Sequence, residues 1–123
     1  MQSYQIIIIS FILLILFFKI RKYYNTRSIN NYSASEVKQM LKSNSNIILL
    51  DVRTEQERKS GSIKPSIHIP LHEISLKADQ LKKYQSKEII CYCQSGMRSV
   101  SAAIKLKKLG FNSSNMKGGY STW

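Results

Sequence analysis

Between Ile6 and Phe18 the chain reads IIIISFILLILFF, apolar at every position except Ser10, with no polar face. At a helical rise of ~1.5 Å per residue, the stretch from Tyr4 to Ile20 covers ~25 Å, slightly short of a ~30 Å hydrocarbon core. Snorkelling by Lys19, Arg21 and Lys22, with Tyr4, Tyr23 and Tyr24 seated at the interface, makes up the difference. A buried core helix is the poorer reading, because such a helix normally keeps some polar side. A cleaved signal peptide would place basic residues before the apolar run and a small-x-small site after it. The chain has neither, and continues Lys19-Ile20-Arg21-Lys22-Tyr23-Tyr24. Residues 1–24 are therefore expected to form an uncleaved membrane anchor. Because all the flanking positive charge lies on its C-terminal side, the remainder is expected in the cytoplasm. Polar, aperiodic residues 25–32 are predicted as a linker, and residues 33–123 as one domain.

Within that domain helical and strand patterns alternate. Ser33-Ala-Ser-Glu36 has the form of a capping box, opening a short helix with Val37, Met40 and Leu41 on its apolar side. Asn46–Val52 (NIILLDV) is a continuous aliphatic run of strand length, suited to burial on both faces. Thr54–Lys59 forms a charged helical turn ending before Gly61. Ser66–Leu71 (SIHIPL) predicts a second short strand, and Ile74–Tyr84 a helix carried by Ile74, Ala78 and Leu81. Lys87–Cys93 (KEIICYC) predicts the third strand. Val100, Ala103, Ile104, Leu106 and Leu109 set the spacing of a last helix, with Gly110 at its C-terminal cap. The alternation predicts an α/β fold, a small and mainly parallel sheet flanked by helices.

The formal net charge is +12, and four of those positive charges precede the first acid, Glu36. Past the linker the lysines are scattered over helices and loops without a nucleic-acid motif, so the surface is read as solvated and attractive to anionic lipids or anionic substrates; no nucleic-acid partner is expected. The two cysteines, Cys91 and Cys93, lie two apart on one predicted strand, where they point the same way and do not bridge. Reduced thiols and a reducing compartment follow.

In open parallel sheets, ligands sit beyond the carboxyl ends of strands, where the next helix begins. Cys93 occupies that place. After it come Gln94, Ser95, Gly96 and Met97, with Gly96 able to take positive φ, before Arg98 starts the helical pattern. Such a turn can aim backbone N–H groups inward as an anion nest at a helix N-terminus. Both effects favour thiolate over thiol, which makes Cys93 a candidate nucleophile in preference to a small buried hydrophobe.

Strand-Cys-x-x-Gly-x-Arg-Ser-helix resembles the active-site loop of the rhodanese sulfurtransferases. The resemblance extends to LLDVRTEQE (Leu49–Glu57), with Glu57 as the family's acidic follow-up. It continues through GSIKPSIHIPL (Gly61–Leu71) and KGGYSTW (Lys117–Trp123), so it covers Ser33 to Trp123. Ser62 stands where many members have His, and Pro65 and Ser66 replace a Gly-Ala pair. Relatives often continue into a further helix, so Trp123 is expected to be partly exposed or to mark a partner surface. The resemblance implies a sulfurtransferase in which the Cys93 thiolate takes the outer sulfur of a donor such as thiosulfate as a persulfide and passes it to cyanide or to a small or protein thiol. It implies that the loop Gln94, Ser95, Gly96, Met97 and Arg98 cradles the persulfide, with Arg98 stabilising the loop and an anionic donor. Asp51 and Arg53 would support the site from behind. No cofactor and no metal are implied.

Three alternatives compete. A phosphatase or arsenate reductase of the same fold needs a loop wide enough for a tetrahedral oxyanion, whereas Cys93 to Arg98 has only four intervening residues. Cys91 and Cys93 with His68 and His72 can be drawn as a Cys2His2 metal site, but Cys91 lies within a strand and lacks the flexible loop that paired thiolates want. A membrane-tethered interaction module remains compatible with the retained cysteine as an added role. Cys91 itself reads as structural in preference to a resolving thiol.

Overall fold

The computed structural model describes residues 2–43 and 46–123, with the backbone alone for residues 25–27. The first element is α1 (Ser3–Arg27); its stretch Ser3–Tyr24 is exposed and is long and apolar enough to cross a membrane. Those 22 residues extend ~33 Å. The helix is longer than the apolar run alone implies, because Tyr23 and Tyr24 continue it into the polar stretch.

The sheet has five parallel strands in the order β1-β5-β4-β2-β3. These are β1 (Asn31–Tyr32), β2 (Ile47–Asp51), β3 (Ile67–His68), β4 (Glu88–Tyr92) and β5 (Ser113–Met116). Helices α2 (Ala34–Lys42), α3 (Glu55–Lys59), α4 (Ile74–Lys77) and α5 (Met97–Lys108) connect them. The capping box predicted at Ser33–Glu36 is realised, and the structure adds a second one at the start of α3. Ser33 Oγ and the Glu36 carboxylate cap α2 reciprocally, and Thr54 and Glu57 do the same for α3.

Side-chain alternation along β4 builds two cores. Ile89, Cys91 and Cys93 face one side, with Leu50, Ile74, Leu81, Ala102, Ala103 and Leu106. Ile90 and Tyr92 face the other, with Val37, Leu49, Ile63 and Met116. Each fully buried Leu or Ile contributes about 1.5–3 kcal/mol, so a continuous aliphatic β2 flanked by helices on both sides is what holds so small a domain together.

Three local expectations are corrected, and one strand is added. Residues 25–32 are not a plain linker: α1 runs on to Arg27, and Asn31–Tyr32 pair with β5 as an edge strand. The strand predicted over Ser66–Leu71 shrinks to Ile67–His68: the Ile69 and Leu71 N–H groups still reach the Asp51 and Val52 carbonyls, but the Arg53 N–H turns to the Asp51 side chain and does not continue the ladder. The helix predicted over Ile74–Tyr84 is one α turn between two 3-10 segments, Leu71–Glu73 and Ala78–Tyr84. In the second segment the inward residues Ala78, Leu81 and Tyr84 recur every three positions, the period of a 3-10 helix.

The added strand is β5, where the sequence SSNM carries no strand pattern although all four residues are buried. Its polar side chains are paired inside the protein. Ser113 Oγ donates to the Ala103 carbonyl (2.5 Å) and Ser114 Oγ to Glu88 (2.6 Å). Among the described residues no buried side-chain nitrogen or oxygen lacks a partner.

Candidate active site

β4 ends at Tyr92, and Cys93 begins the turn into α5 at the carboxyl edge of the sheet. The Gly96 N–H donates to Cys93 Sγ (3.0 Å), with Gly96 at φ +96°, a conformation that side chains rarely tolerate. Gln94, Ser95 and Met97 are exposed on the outside of the turn, while Cys93 and Gly96 are buried within it. Burial pushes the Cys93 thiol up, but the Ser99 hydroxyl and the amides of Ser99, Gly96 and Ser95 outweigh it and leave the group below its ordinary value.

What turns these amides inward is a clamp on the carbonyls. The Tyr120 N–H donates to the Cys93 carbonyl (2.8 Å) and the Ser121 N–H to the Gln94 carbonyl (3.1 Å), both from the segment after Gly118-Gly119. A Cβ on Gly119 would collide with the Cys93 carbonyl oxygen and come within 2.7 Å of the Gln94 carbonyl carbon; one on Gly96 would meet the Gly118 nitrogen at 2.8 Å. Loop and terminal turn therefore interlock through glycines.

Asp51 and Arg53 form the support behind the loop. Both are buried, and Asp51 accepts from the Arg53 backbone N–H (2.9 Å), from Arg53 Nε (3.1 Å) and Nη2 (3.0 Å), from Arg58 Nη1 (3.2 Å) and from the Tyr92 hydroxyl (3.1 Å). Burial pushes the Asp51 carboxyl up; the Arg53 hydrogen bonds and charge overcome this and hold it below the usual carboxylate range. Arg53 also donates to the Gly61 carbonyl (2.6 Å) and to Gln94 Oε1 (3.3 Å), and its guanidinium lies 4.4 Å from the Tyr120 ring. One buried cation thus touches both halves of the interlock.

Arg98 is committed to a partner. Its Nη1 and Nη2 meet the Glu57 carboxylate at 2.7 and 2.8 Å, tying α3 to the first turn of α5. The Arg98 hydrogen bond is the main reason that Glu57 is lowered to about 2. Arg98 is raised, first by Glu57 and further by the negative charge of Cys93.

The Cys2His2 arrangement does not form. His68 Nε2 lies 2.7 Å from the Arg53 carbonyl, His72 is exposed, and Cys91 is fully buried, where desolvation raises its pKa. Among the described residues no group of three potential ligands is positioned for a metal. Sequence pattern alone does not single out Ser99 or Asn115. Ser99 lies inside the quoted loop motif, but Asn115 belongs to a strand without strand pattern.

This fold and this loop define a rhodanese-like domain. The Rhodanese-like domain family model matches residues 33–123, and the chain belongs to that family. It is 33% identical over 95 residues to YtwF of Bacillus subtilis (strain 168), covering 77% of this chain and 90% of that protein. It is 28% identical over 96 residues to a sulfurtransferase of Allochromatium vinosum, covering 77% and 88%. Among solved structures, a rhodanese-related protein from Thermoplasma volcanium superposes with a TM-score of 0.69 at 32% identity, over 76% of this chain and 89% of that one.

Two outcomes follow. Gly119→Ala is expected to destabilise the protein by more than ~2 kcal/mol and to expose Cys93 to alkylation, as read by denaturant unfolding in detergent and by iodoacetamide labelling. Glu57→Gln is expected to lose about 1 kcal/mol at pH 7, a modest figure because the pair is partly exposed. Since the folded-state value of Glu57 is depressed, the pair's support is complete above its ordinary value near 4.5 and disappears as pH falls toward about 2. Unfolding midpoints of the two proteins should therefore converge over that range.

Proposed function

We propose that the protein is a sulfurtransferase that carries sulfane sulfur as a persulfide on Cys93. The observation that carries this reading is a cysteine at the start of the turn whose sulfur meets the Gly96 amide and the Ser99 hydroxyl. Family membership and relatives named as sulfurtransferases support it.

With thiosulfate as donor, the Cys93 thiolate attacks the outer sulfur. A new S–S bond forms, the old one breaks, and its electron pair leaves with sulfite. The product is a persulfide anion on Cys93. Cyanide or a thiolate acceptor then attacks the terminal sulfur and returns Cys93 as thiolate, a two-stage covalent cycle. The amides of the Gln94–Arg98 turn hold the negative sulfur, and Arg98, already fixed by Glu57, contributes positive potential without transferring a proton. Asp51 and Arg53 keep the turn in shape through Gln94 and Gly61.

The same reading places α1 in a membrane as an anchor, with the domain on the cytoplasmic side. Its length and apolarity support that role, and the basic residues Lys19, Arg21 and Lys22 support the orientation. A signal sequence satisfies the same length and composition, so an unprocessed N-terminus is the distinguishing observation.

Intact-mass spectrometry of the full chain in detergent after thiosulfate treatment is expected to show one added sulfur. The adduct should vanish with Cys93→Ser and survive Cys91→Ser; an adduct that follows Cys91, or none at all, refutes the mechanism. On sealed vesicles, protease added to the cytoplasmic face alone should remove the domain. Digestion from the opposite face only would reverse the orientation.

A further inference from the structure

Ser99 Oγ lies 3.4 Å from Cys93 Sγ and 2.5 Å from Asn115 Oδ1. A serine hydroxyl has one proton, and neither neighbour can be served without depriving the other. The direction of the chain is set at its far end. The Ile29 carbonyl only accepts, so it takes Asn31 Nδ2 (3.1 Å); Asn31 Oδ1 in turn takes Asn115 Nδ2 (2.9 Å). Asn115 must then present its carbonyl oxygen to Ser99, and an amide oxygen carries no hydrogen. Cys93, Ser99 and Asn115 are at most 1% exposed, so bulk water does not substitute for the missing proton.

As a thiol, Cys93 donates to Ser99 Oγ, Ser99 donates to Asn115, and every group is satisfied. As a thiolate, the sulfur has no proton to give. Either Ser99 turns to it and leaves Asn115 Oδ1 buried without a donor, or Ser99 stays and its lone pairs face the anion. We propose that Asn115 is a positioning residue that competes with Cys93 for the Ser99 proton, so that strand β5 weakens the support the Ser99 hydroxyl gives the bare thiolate. In functional terms this rests on Cys93 being the sulfur-carrying nucleophile. Once a second sulfur is attached, the negative charge moves to the terminal atom and Sγ becomes a neutral divalent sulfur. The demand on Ser99 then ends, and the relay penalises the empty nucleophile more than the loaded one.

Among the described residues, the ionisable neighbours of the sulfur are Cys91 on β4 and Arg98 on α5, with Glu57 of α3 bound to Arg98. Arg53 and Asp51 act at one remove through Gln94. β5 contributes no ionisable side chain.

The test is a pH titration of thiolate ultraviolet absorbance on the full chain in detergent, with Cys93→Ser subtracted. Asn115→Leu is expected to free the Ser99 proton and lower the Cys93 midpoint by about one pH unit, the size of one hydrogen bond to a charged acceptor. Asn31→Leu, at an exposed edge position that does not threaten folding, releases the Asn115 amide to turn and should shift the midpoint in the same direction. In a Ser99→Ala background Asn115→Leu should have no further effect. An unchanged or raised midpoint in Asn115→Leu or Asn31→Leu, or a shift that persists without Ser99, overturns the proposal. No sulfur donor is present in this titration. Failure of persulfide formation with these shifts intact would refute the sulfurtransferase reading and leave the relay standing.

Discussion

A turn can aim its amides at an anion only if its carbonyls find donors elsewhere, and in this protein that requirement is met by a segment far away in sequence. The N–H groups of Tyr120 and Ser121 take the carbonyls of Cys93 and Gln94. The approach is so close that Gly119 and Gly96 leave no room for a side chain. The turn around Cys93 is therefore a product of two segments. It also explains why the end of the chain is structurally part of the site.

Behind the interlock stands a buried ion pair. Removing Asp51 and Arg53 from water carries a desolvation penalty that their mutual attraction offsets only because nearly every remaining donor and acceptor is paired. Here the pairing is extensive: Asp51 gathers five donors, and Arg53 reaches Gly61, Gln94 and the Tyr120 ring. Ser66, which departs from the Gly-Ala pair common in the family, takes part in this network. Its hydroxyl donates to the Ile63 carbonyl (2.6 Å) and lies 3.1 Å from Arg58 Nη1. The departure adds a polar anchor at the entrance to β3 where an alanine would offer none.

Much of the fold is legible in the chain, because its elements announce themselves by local rules. The capping box of α2, the aliphatic runs of β2 and β4, and the periodic apolar positions of α5 each state their conformation within a few residues. The cysteine at the strand end is visible for the same reason. What is hidden depends on long-range pairing. β5 is polar because its side chains bond to Glu88, Asn31, Ser99 and the Ala103 carbonyl, partners that only the assembled sheet brings near. The Arg98–Glu57 contact spans 41 positions, and no spacing rule foretells it. The 3-10 segment over Ala78–Tyr84 is an intermediate case: its three-residue repeat is present in the sequence but too short to separate from a helical period.

The complete burial of Cys93 has a second face. Thiolates kept in contact with solvent are the ones that peroxides convert to sulfenic and then irreversible acids. A sulfur roofed by its own backbone is shielded from that chemistry while the turn is closed, and it meets any reagent only during the turn's excursions.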